Sequence, residues 1–321
     1  AVMLEGLSVQ VEERAGLGPL DESLPATELI VAHAELGRCD RVLIAPSGYG
    51  LVGAWAASQA PDGQVVCADS NLLARQVTRR TLESCGATSV SVCAMVPAME
   101  DRPLDAFLML LPKGRALARL WLLNGALAVR EGGQILLAGA NRAGIQSVAR
   151  DAALLLGPGR LLGYKKGNRL FAFDRPSLRL DALPAEFSEP GLLNGTFFAY
   201  EVPWGGHSLT VCTRPGVFSR DGLDDGTRLL LSVLEIEADD TVLDLGCGAG
   251  IIGLVACQYV PASRVTLLDV DSLAVECARE TLHRNGIGEA RVIEGDGFKA
   301  VAGQRYSLIV TNPPFHAGHQ V

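Results

Sequence analysis

An internal repeat constrains the fold of this 321-residue chain more than any other feature of its sequence. Residues 41–86 align without a gap with residues 241–286, and 15 of the 46 aligned positions are identical. Both segments show the pattern of an apolar strand, a glycine-rich turn, a helix, a second strand and a second helix. A spacing of 200 residues is too long for a solenoid, so we infer two copies of one domain.

Strands that alternate with helices predict an α/β fold with a parallel sheet, and a hairpin at 160–173 adds an antiparallel element to the first copy. A helix is predicted over Glu28–Glu35, ahead of the first copy. The sequence therefore predicts an N-terminal extension at 1–37, a first domain at 38–175, a connector with a hairpin at 176–225, and a second domain at 226–321.

The glycine-rich turn of the second copy reads Asp244-Leu-Gly-Cys-Gly-Ala-Gly250 and lies between a predicted strand and a predicted helix. Such a loop lets backbone N–H groups approach a ligand closely, but its spacing also fits dinucleotide-binding folds. Asp269 ends the next strand, at the spacing of an acidic residue that binds ribose hydroxyls, with a helix N-cap as the alternative. Asp296 either faces an adenine amine or closes a turn. The candidate cofactor-binding residues are Asp244, Gly246, Cys247, Gly248, Gly250, Asp269, Val270, Asp296 and Gly297.

The tetrapeptide Asn312-Pro-Pro-Phe315 follows an apolar run of the second copy and narrows the chemistry. The side-chain carbonyl of Asn312 and the backbone carbonyl of Pro313 can accept the two hydrogens of a planar amine, whose delocalised lone pair makes it a poor nucleophile. The prolines hold the backbone rigid, and Phe315 offers a flat face on which a base can stack. The pattern predicts methyl transfer to such a nitrogen, with Asn312, Pro313, Pro314 and Phe315 as the candidate catalytic residues.

The two copies differ where this chemistry would be carried out. Ile44 occupies the position of Asp244, Pro46 that of Gly246, and Leu111-Pro-Lys-Gly114 that of the tetrapeptide. The first copy therefore lacks the carboxylate, a loop N–H group expected to face a ligand, and the asparagine. We predict that the first copy has kept the fold and lost the catalysis.

Charge and cysteine usage limit the class of protein. The net charge of −8 argues against general nucleic-acid binding, but residues 1–175 carry +1, so an RNA surface is expected on the first copy. Candidates for it are Lys113-Gly-Arg115, Arg142 and Lys165-Lys-Gly-Asn-Arg169. Eight scattered cysteines without a C-x-x-C pair predict reduced thiols and no metal site. The lack of an apolar leader or a long apolar run predicts a cytoplasmic protein without a membrane segment.

Several motifs together carry a resemblance to a known family. Gly216-Val-Phe-Ser-Arg-Asp-Gly-Leu-Asp224, the glycine loop and Asn312-Pro-Pro-Phe-His-Ala-Gly318 resemble those of the small-subunit ribosomal RNA guanine-N2 methyltransferases. Gly139-Ala-Asn-Arg-Ala-Gly144 and Gly163-Tyr-Lys-Lys-Gly-Asn168 resemble the N-terminal half of the same family. The resemblance covers essentially the whole chain.

This resemblance implies two tandem Rossmann-like class I methyltransferase domains, of which the first is degenerate and assists RNA binding or folding. It implies S-adenosylmethionine as donor, and a guanine N2 of 16S ribosomal RNA, free or in the small ribosomal subunit, as acceptor. The candidate substrate-binding residues are Phe218, Phe315, Lys165 and Lys166, and a monomer is expected. The alternatives are a large-subunit guanine-N2 enzyme, a protein glutamine-N5 methyltransferase, and a non-catalytic RNA-binding or assembly protein.

The offset between the copies also predicts that the second domain is truncated. The first copy continues for about 60 residues beyond Pro112, whereas the sequence stops eight residues after Pro313. By the same offset the second copy would end near residue 375. A polypeptide that truly ended at Val321 is therefore expected to lack the last strands of its catalytic sheet and to have a loosened second domain.

Overall fold

The computed structural model describes residues 1–87, 89–97 and 103–313, which divide into two compact units, Ala1–Asn194 and a second unit that begins at Gly195. Each unit is built on one α/β sheet with a parallel core, which confirms the predicted fold class. All eight cysteines are free thiols. No helix in the described part of the chain has the length and apolar character needed to cross a membrane.

The first unit contains nine strands and five α-helices among its described residues. In chain order these are β1 (Val2–Leu4), β2 (Leu7–Val9), α1 (Leu20–His33), β3 (Arg41–Ile44), α2 (Leu51–Gln59), β4 (Gln64–Ala68), α3 (Leu72–Ser84), β5 (Val90–Cys93), β6 (Leu104–Leu110), α4 (Arg115–Ala128), β7 (Val129–Ala140), α5 (Ile145–Leu156), β8 (Arg160–Lys165) and β9 (Asn168–Asp174).

Seven of these strands form one sheet in the order β5-β4-β3-β6-β7-β9-β8. The strands from β5 to β7 are parallel, and β9 and β8 add the predicted antiparallel hairpin at one edge. Val42, Leu43 and Ile44 of β3 are fully buried, as expected for a central strand covered on both faces. Helix α1 begins at Leu20, well before the predicted start at Glu28. It continues through Pro25, and the fully buried side chain of Ile30 packs in the core.

The second unit repeats the first half of this architecture. Its elements are β10 (Phe198–Trp204), β11 (His207–Thr213), α6 (Asp225–Val233), β12 (Val242–Leu245), α7 (Ile251–Ala256), β13 (Val265–Asp269), α8 (Ser272–Arg284), β14 (Arg291–Glu294) and β15 (Leu308–Val310). The last four strands form a parallel sheet in the order β14-β13-β12-β15, which matches β5-β4-β3-β6. Strands β10 and β11 form the predicted hairpin of the connector.

Individual contacts confirm that the two units are copies of one fold. Helix α8 begins and ends 200 residues after α3. The guanidinium of Arg79 on α3 donates to the carbonyl of Val92 at 3.2 Å, and that of Arg279 on α8 donates to the carbonyl of Val292 at 3.1 Å. The repeat therefore extends from the strand order to single hydrogen bonds.

The order of strands in the second unit determines where its functional side chains meet. After β12 the chain adds β13 and then β14 on one side of this strand, and it then returns to add β15 on the other side. The direction in which strands are added therefore reverses between β12 and β15. A crevice forms at the carboxyl ends of strands at such a point and commonly binds ligands in open α/β sheets. Asp244 of β12 pairs in register with Val310 of β15, two residues before Asn312.

Candidate functional site

The glycine loop between β12 and α7 is tied to the end of β13 by its own backbone. The N–H groups of Gly246 and Cys247 both donate to the Leu268 carbonyl, at 2.8 and 3.0 Å. The expectation that Pro46 removes a ligand-facing N–H group from the first copy was therefore wrong, because the equivalent group of Gly246 is bonded within the fold. Burial raises the pKa of the Cys247 thiol well above its usual value, so this side chain acts as a small neutral filler.

The last glycine of the fingerprint is required by packing in both units. A Cβ atom on Gly253 would lie 2.5 Å from Leu267 of the neighbouring strand, and the equivalent Gly53 faces Cys67 in the same way. A side chain at this position would push the helix away from the sheet. The retention of this glycine in the first copy therefore reports on the fold and not on a ligand.

Asp244 is the carboxylate that most clearly requires a partner. It is fully buried, and its Oδ2 accepts the N–H of Gly253, in the first turn of α7, at 2.9 Å. Its Oδ1 is buried and has no hydrogen-bond partner among the described residues. Burial raises the pKa of Asp244 to about 7, and the negative charge of Asp269 adds to the rise. A cationic ligand group placed beside Oδ1 would stabilise the ionised form.

Asp269 lies at the end of β13 and closes the glycine loop. Its two carboxylate oxygens accept the N–H groups of Gly248 and Asp271, at 2.9 and 3.0 Å. The helix N-cap alternative was wrong for this residue, because the cap of α8 is Asp271, whose side chain accepts the N–H of Leu273. Asp69 makes the equivalent two bonds in the first unit, so the shared aspartate has a structural role in both copies.

The other predicted cofactor residues lie around the same edge of the sheet or on the next loop. Burial raises the pKa of Asp269, although backbone hydrogen bonds, one of them from Val270, lower it in part. Asp296 precedes a short 3₁₀ helix, Gly297–Val301, and its carboxylate pairs with Lys299 at 2.9 Å. A role for Asp296 in recognising adenine stays a prediction.

The side-chain amide of Asn312 is held by residues of the Gly216–Asp224 motif and of α6. Asp224 is the N-cap of α6 and accepts the N–H groups of Gly226 and Thr227, at 3.0 and 2.9 Å. The Thr227 hydroxyl donates to Asp224 Oδ2 at 2.6 Å. Asn312 Nδ2 lies 3.1 Å from that same oxygen and 2.9 Å from Thr227 Oγ1. The structure thus joins two motifs that are far apart in the sequence.

This network gives the Asn312 carbonyl a defined direction. A carboxylate can only accept, so the amide nitrogen of Asn312 must face Asp224, which leaves Oδ1 for another donor. Burial opposes the ionisation of Asp224, but hydrogen bonds from Thr227, Gly226 and Asn312 outweigh it and hold the pKa below its usual value. The functions of Asp224 and Thr227 here were not predicted, although an aspartate just before a helix is a preferred N-cap residue.

The remaining predicted site residues are not all brought together. Pro313 follows Asn312 as an exposed residue, and Pro314 and Phe315 lie outside the described residues. Phe218 is 57% exposed, in the loop between β11 and α6. Lys165 and Lys166 belong to the first unit, in the β8–β9 hairpin.

The β8–β9 hairpin presents an aromatic ring and basic groups to solvent. Tyr164 is 62% exposed, and the guanidinium of Arg169 lies over its ring at 5.7 Å from the centroid. Lys165 pairs with Glu28 at 3.0 Å, whereas Lys166 forms no ion pair with a described residue. A stacked ring and guanidinium beside an exposed lysine can contact both the bases and the phosphates of RNA.

Two other predicted basic residues have acidic partners within the first unit. Arg142 pairs with Glu22 at 3.0 Å. Arg115 contacts the buried carboxylate of Asp151, which Arg119 also contacts at 2.9 Å. Asp151 is 1% exposed, so Arg115 and Arg119 neutralise a buried carboxylate, whereas the Arg115 side chain is itself 54% exposed and its assignment to an RNA surface stays a prediction.

The place that corresponds to the glycine-loop site is filled in the first unit by the chain itself. Tyr49 stands where the second copy has Ala249, and its hydroxyl donates to the Gly18 carbonyl at 2.7 Å. Nearby, a Cβ atom on Gly16 would lie 2.9 Å from Leu73 of α3. The segment ahead of α1 therefore covers the glycine loop and the start of α3.

Family comparisons match both units. The family model described as "Methyltransferase small domain" matches residues 208–321, and the model described as "Methyltransferase small domain N-terminal" matches residues 70–157. The model described as N-terminal thus matches the first unit, and the other model matches the second unit.

Curated relatives share one name. A "Ribosomal RNA small subunit methyltransferase C" of Escherichia coli O157:H7 is 33% identical over 305 residues, which are 92% of this chain and 79% of the relative. The protein of that name from Pseudomonas entomophila is 40% identical over 214 residues, which are 67% of this chain and 60% of the relative. The chain thus spans less than two thirds of the length of several curated relatives.

A solved structure matches nearly the whole chain. It is that of the T. thermophilus 16S rRNA N2 methyltransferase RsmC in complex with AdoMet and guanosine. The match has a TM-score of 0.74 at 24% identity and covers 97% of this chain and 81% of that one. At this identity the likeness establishes the tandem fold.

Proposed function

Because the chain belongs to the ribosomal RNA small subunit methyltransferase C family, we propose that it transfers a methyl group from S-adenosylmethionine to N2 of a guanine in 16S ribosomal RNA. The matched T. thermophilus protein is a 16S rRNA N2 methyltransferase in complex with AdoMet and guanosine, which supports both the donor and the acceptor. The proposed active unit is the second one, and the proposed site lies at the carboxyl ends of β12 and β15.

The observation that carries the proposal is the register between these two strands. Asp244 pairs with Val310, so the Asp244 Oδ1 atom, which has no hydrogen-bond partner among the described residues, and the orienting amide of Asn312 lie at the same edge of the sheet. A donor and an acceptor held at adjacent strand ends can react as one bound pair, which lowers the entropic part of the barrier.

The residues of the second unit fit S-adenosylmethionine by their chemistry. The unpaired Oδ1 of Asp244 suits the cationic amino group of the donor. Backbone N–H groups, including those of Gly248 and Asp271 on different oxygens, occupy part of the Asp269 carboxylate, whose roughly four lone-pair sites leave room for a ribose hydroxyl. When bound, the donor supplies an electrophilic methyl group on a sulfonium, and the sulfur leaves with the electron pair of the broken C–S bond.

The chain's own contribution is the orientation of the acceptor nitrogen. Asn312 Oδ1 and the Pro313 carbonyl would accept the two hydrogens of guanine N2, which aims the nitrogen lone pair at the methyl carbon. The new N–C bond forms from that lone pair, and one N2 proton is then lost to water. In this proposal Phe218 and Phe315 stack on the extruded base.

The first unit is proposed to bind RNA without binding donor. Its glycine loop is covered by the segment around Gly18, and it has Ile44 in place of the carboxylate. The exposed ring of Tyr164, the half-buried Arg169 stacked on it and the exposed Lys166 provide a surface for RNA. We propose that the protein acts as a monomer on ribosomal RNA in the cytoplasm.

The test is incubation of the intact protein with donor carrying a labelled methyl group and, separately, naked 16S RNA, small ribosomal subunits, large-subunit RNA or a glutamine-containing protein substrate. We expect label on a guanine N2 of 16S RNA, either free or in the subunit. Label on protein glutamine or only on large-subunit RNA would reject the assigned acceptor, and no transfer together with RNA binding would favour the non-catalytic alternative.

A further inference from the structure

The amide of Asn312 is fixed by partners that the proposed chemistry does not itself use. Its Nδ2 contacts Asp224 Oδ2 and Thr227 Oγ1, at 3.1 and 2.9 Å. Thr227 is 4% exposed, and its hydroxyl hydrogen is already directed at Asp224, so its oxygen acts as an acceptor toward Asn312. Both partners therefore accept from the same amide group, which has two hydrogens to give.

This arrangement excludes the reversed orientation of the amide. Rotation by about 180° would place Asn312 Oδ1 against the Asp224 carboxylate, which has no hydrogen, and against the Thr227 hydroxyl, whose hydrogen is already donated to Asp224. It would also turn the NH₂ group toward the incoming amine, where two donors would face each other. An asparagine without these partners would populate both orientations, and only one is productive.

We propose that Asp224 and Thr227 are positioning residues, which hold the amide nitrogen of Asn312 so that its carbonyl oxygen faces the acceptor amine. The inference rests on the proposed function, because it assigns the orientation of the group that binds guanine N2. Since Asp224 is also the N-cap of α6, the position of Asn312 is tied to the start of that helix.

The direct test replaces the Thr227 hydroxyl and measures steady-state methyl transfer by the intact protein. Thr227→Val keeps the shape of the side chain and the backbone N–H that Asp224 caps, but removes the acceptor for Asn312 and the donor for Asp224. We expect kcat to fall about tenfold, as for the loss of one orienting hydrogen bond, with little change in KM for RNA or in donor affinity. Thr227→Ser restores the hydroxyl and should recover most of the lost rate.

Two further variants separate positioning from stability. Asp224→Ser retains an N-cap for α6 but is too short to reach Asn312, so it should lower kcat without unfolding the helix. Ser232→Ala removes an exposed hydroxyl from the same helix, whose one bond to a described residue is to the Leu229 carbonyl, and should leave kcat unchanged. In an Asn312→Ala background, Thr227→Val should cause no further loss, because the group that it positions is gone.

The outcomes distinguish this inference from the proposed function. Near-normal turnover of Asn312→Ala would reject the proposed role of Asn312 itself. A large loss in Asn312→Ala, together with undiminished kcat in Thr227→Val, would overturn only the positioning role, as would equal losses in the valine and serine variants. The Asn312 side-chain NH₂ signals in a ¹⁵N–¹H spectrum give an answer independent of turnover. They should shift in Thr227→Val and return to the wild-type position in Thr227→Ser, and unshifted signals in Thr227→Val refute the inference.

Discussion

The buried carboxylate of Asp244 should make the stability of the second unit depend on pH in an unusual direction. Burial raises the pKa of Asp244 from 3.8 to about 7, so between these values the folded unit binds a proton that the unfolded chain has released. The unfolded state then binds fewer protons than the folded state, and the stability of the unit falls as the pH rises. The loss is complete once the pH exceeds the folded pKa.

The expected size of this effect follows from the pKa difference. Each unit of pKa shift corresponds to about 1.4 kcal/mol, so from pH 5 to pH 8 the titration of Asp244 should cost the second unit about 3 kcal/mol. Asp244→Asn removes the titration while keeping an oxygen that can accept the Gly253 N–H. The difference between the two pH profiles reports on Asp244 together with its coupling to Asp269, because the remaining titrating groups are common to both proteins.

Hydrogen exchange of the β12 amides is the suitable assay, because each unit can be followed separately. Wild-type protein should lose about 3 kcal/mol of protection in β12 relative to Asp244→Asn between pH 5 and pH 8. The β4 amides of the first unit are the internal control and should show no such difference. Donor should restore protection above pH 7, because its amino group would pair with the carboxylate.

Parallel pH profiles for wild type and Asp244→Asn would refute the reasoning, since they would mean that Asp244 stays ionised in the folded unit. The buried Oδ1 would then have a partner, and its proposed pairing with a ligand amine would lose its basis.

Three other results are expected. Asn312→Ala should raise the activation free energy by about 3 kcal/mol and so lower kcat more than a hundredfold, with donor affinity nearly unchanged, and normal turnover would contradict the mechanism. Calorimetry should show one donor equivalent per chain, because Tyr49 and the segment at Gly18 cover the loop of the first unit; two equivalents would contradict its degeneracy. Lys166→Glu and Lys113→Glu should each weaken RNA binding and lower its salt dependence, without affecting donor binding, and an unchanged salt slope would remove these lysines from the RNA surface.

Much of the fold could be predicted from the sequence because local patterns determine it. Apolar runs and helical periodicity between turn residues predict a strand over Val242–Leu245 and a helix over Leu72–Cys85. The structure has β12 with those bounds, and α3 ends one residue earlier. The predicted helix over Glu28–Glu35 missed the start of α1, which begins at Leu20 and continues through Pro25 into buried residues such as Ala26 and Ile30.

The site could be predicted only in part, because its geometry depends on contacts between distant segments. The importance of Asn312 follows from its motif, but its contact with Asp224, 88 residues earlier, depends on how α6 packs near the end of β15. The same limitation applies to Arg115, whose side chain is 54% exposed as the sequence suggests, but whose pairing with the buried Asp151 cannot be read from the sequence. A sequence pattern identifies the residue type, and the tertiary structure determines whether that side chain is available.

The two copies also provide an internal comparison that changes how the fingerprint is interpreted. Asp69 and Asp269 make the same backbone bonds, and Gly53 and Gly253 meet the same packing limit, so these identical positions are explained by the fold alone. A residue that folding requires persists in a copy that has lost its ligand, whereas a residue that only the ligand requires is free to change. By this reasoning Asp244, which became Ile44, is stronger evidence for a donor site than the glycines that make the motif recognisable. The same logic applies to Asn312, whose orienting partners in the second unit serve a group that the first copy lacks.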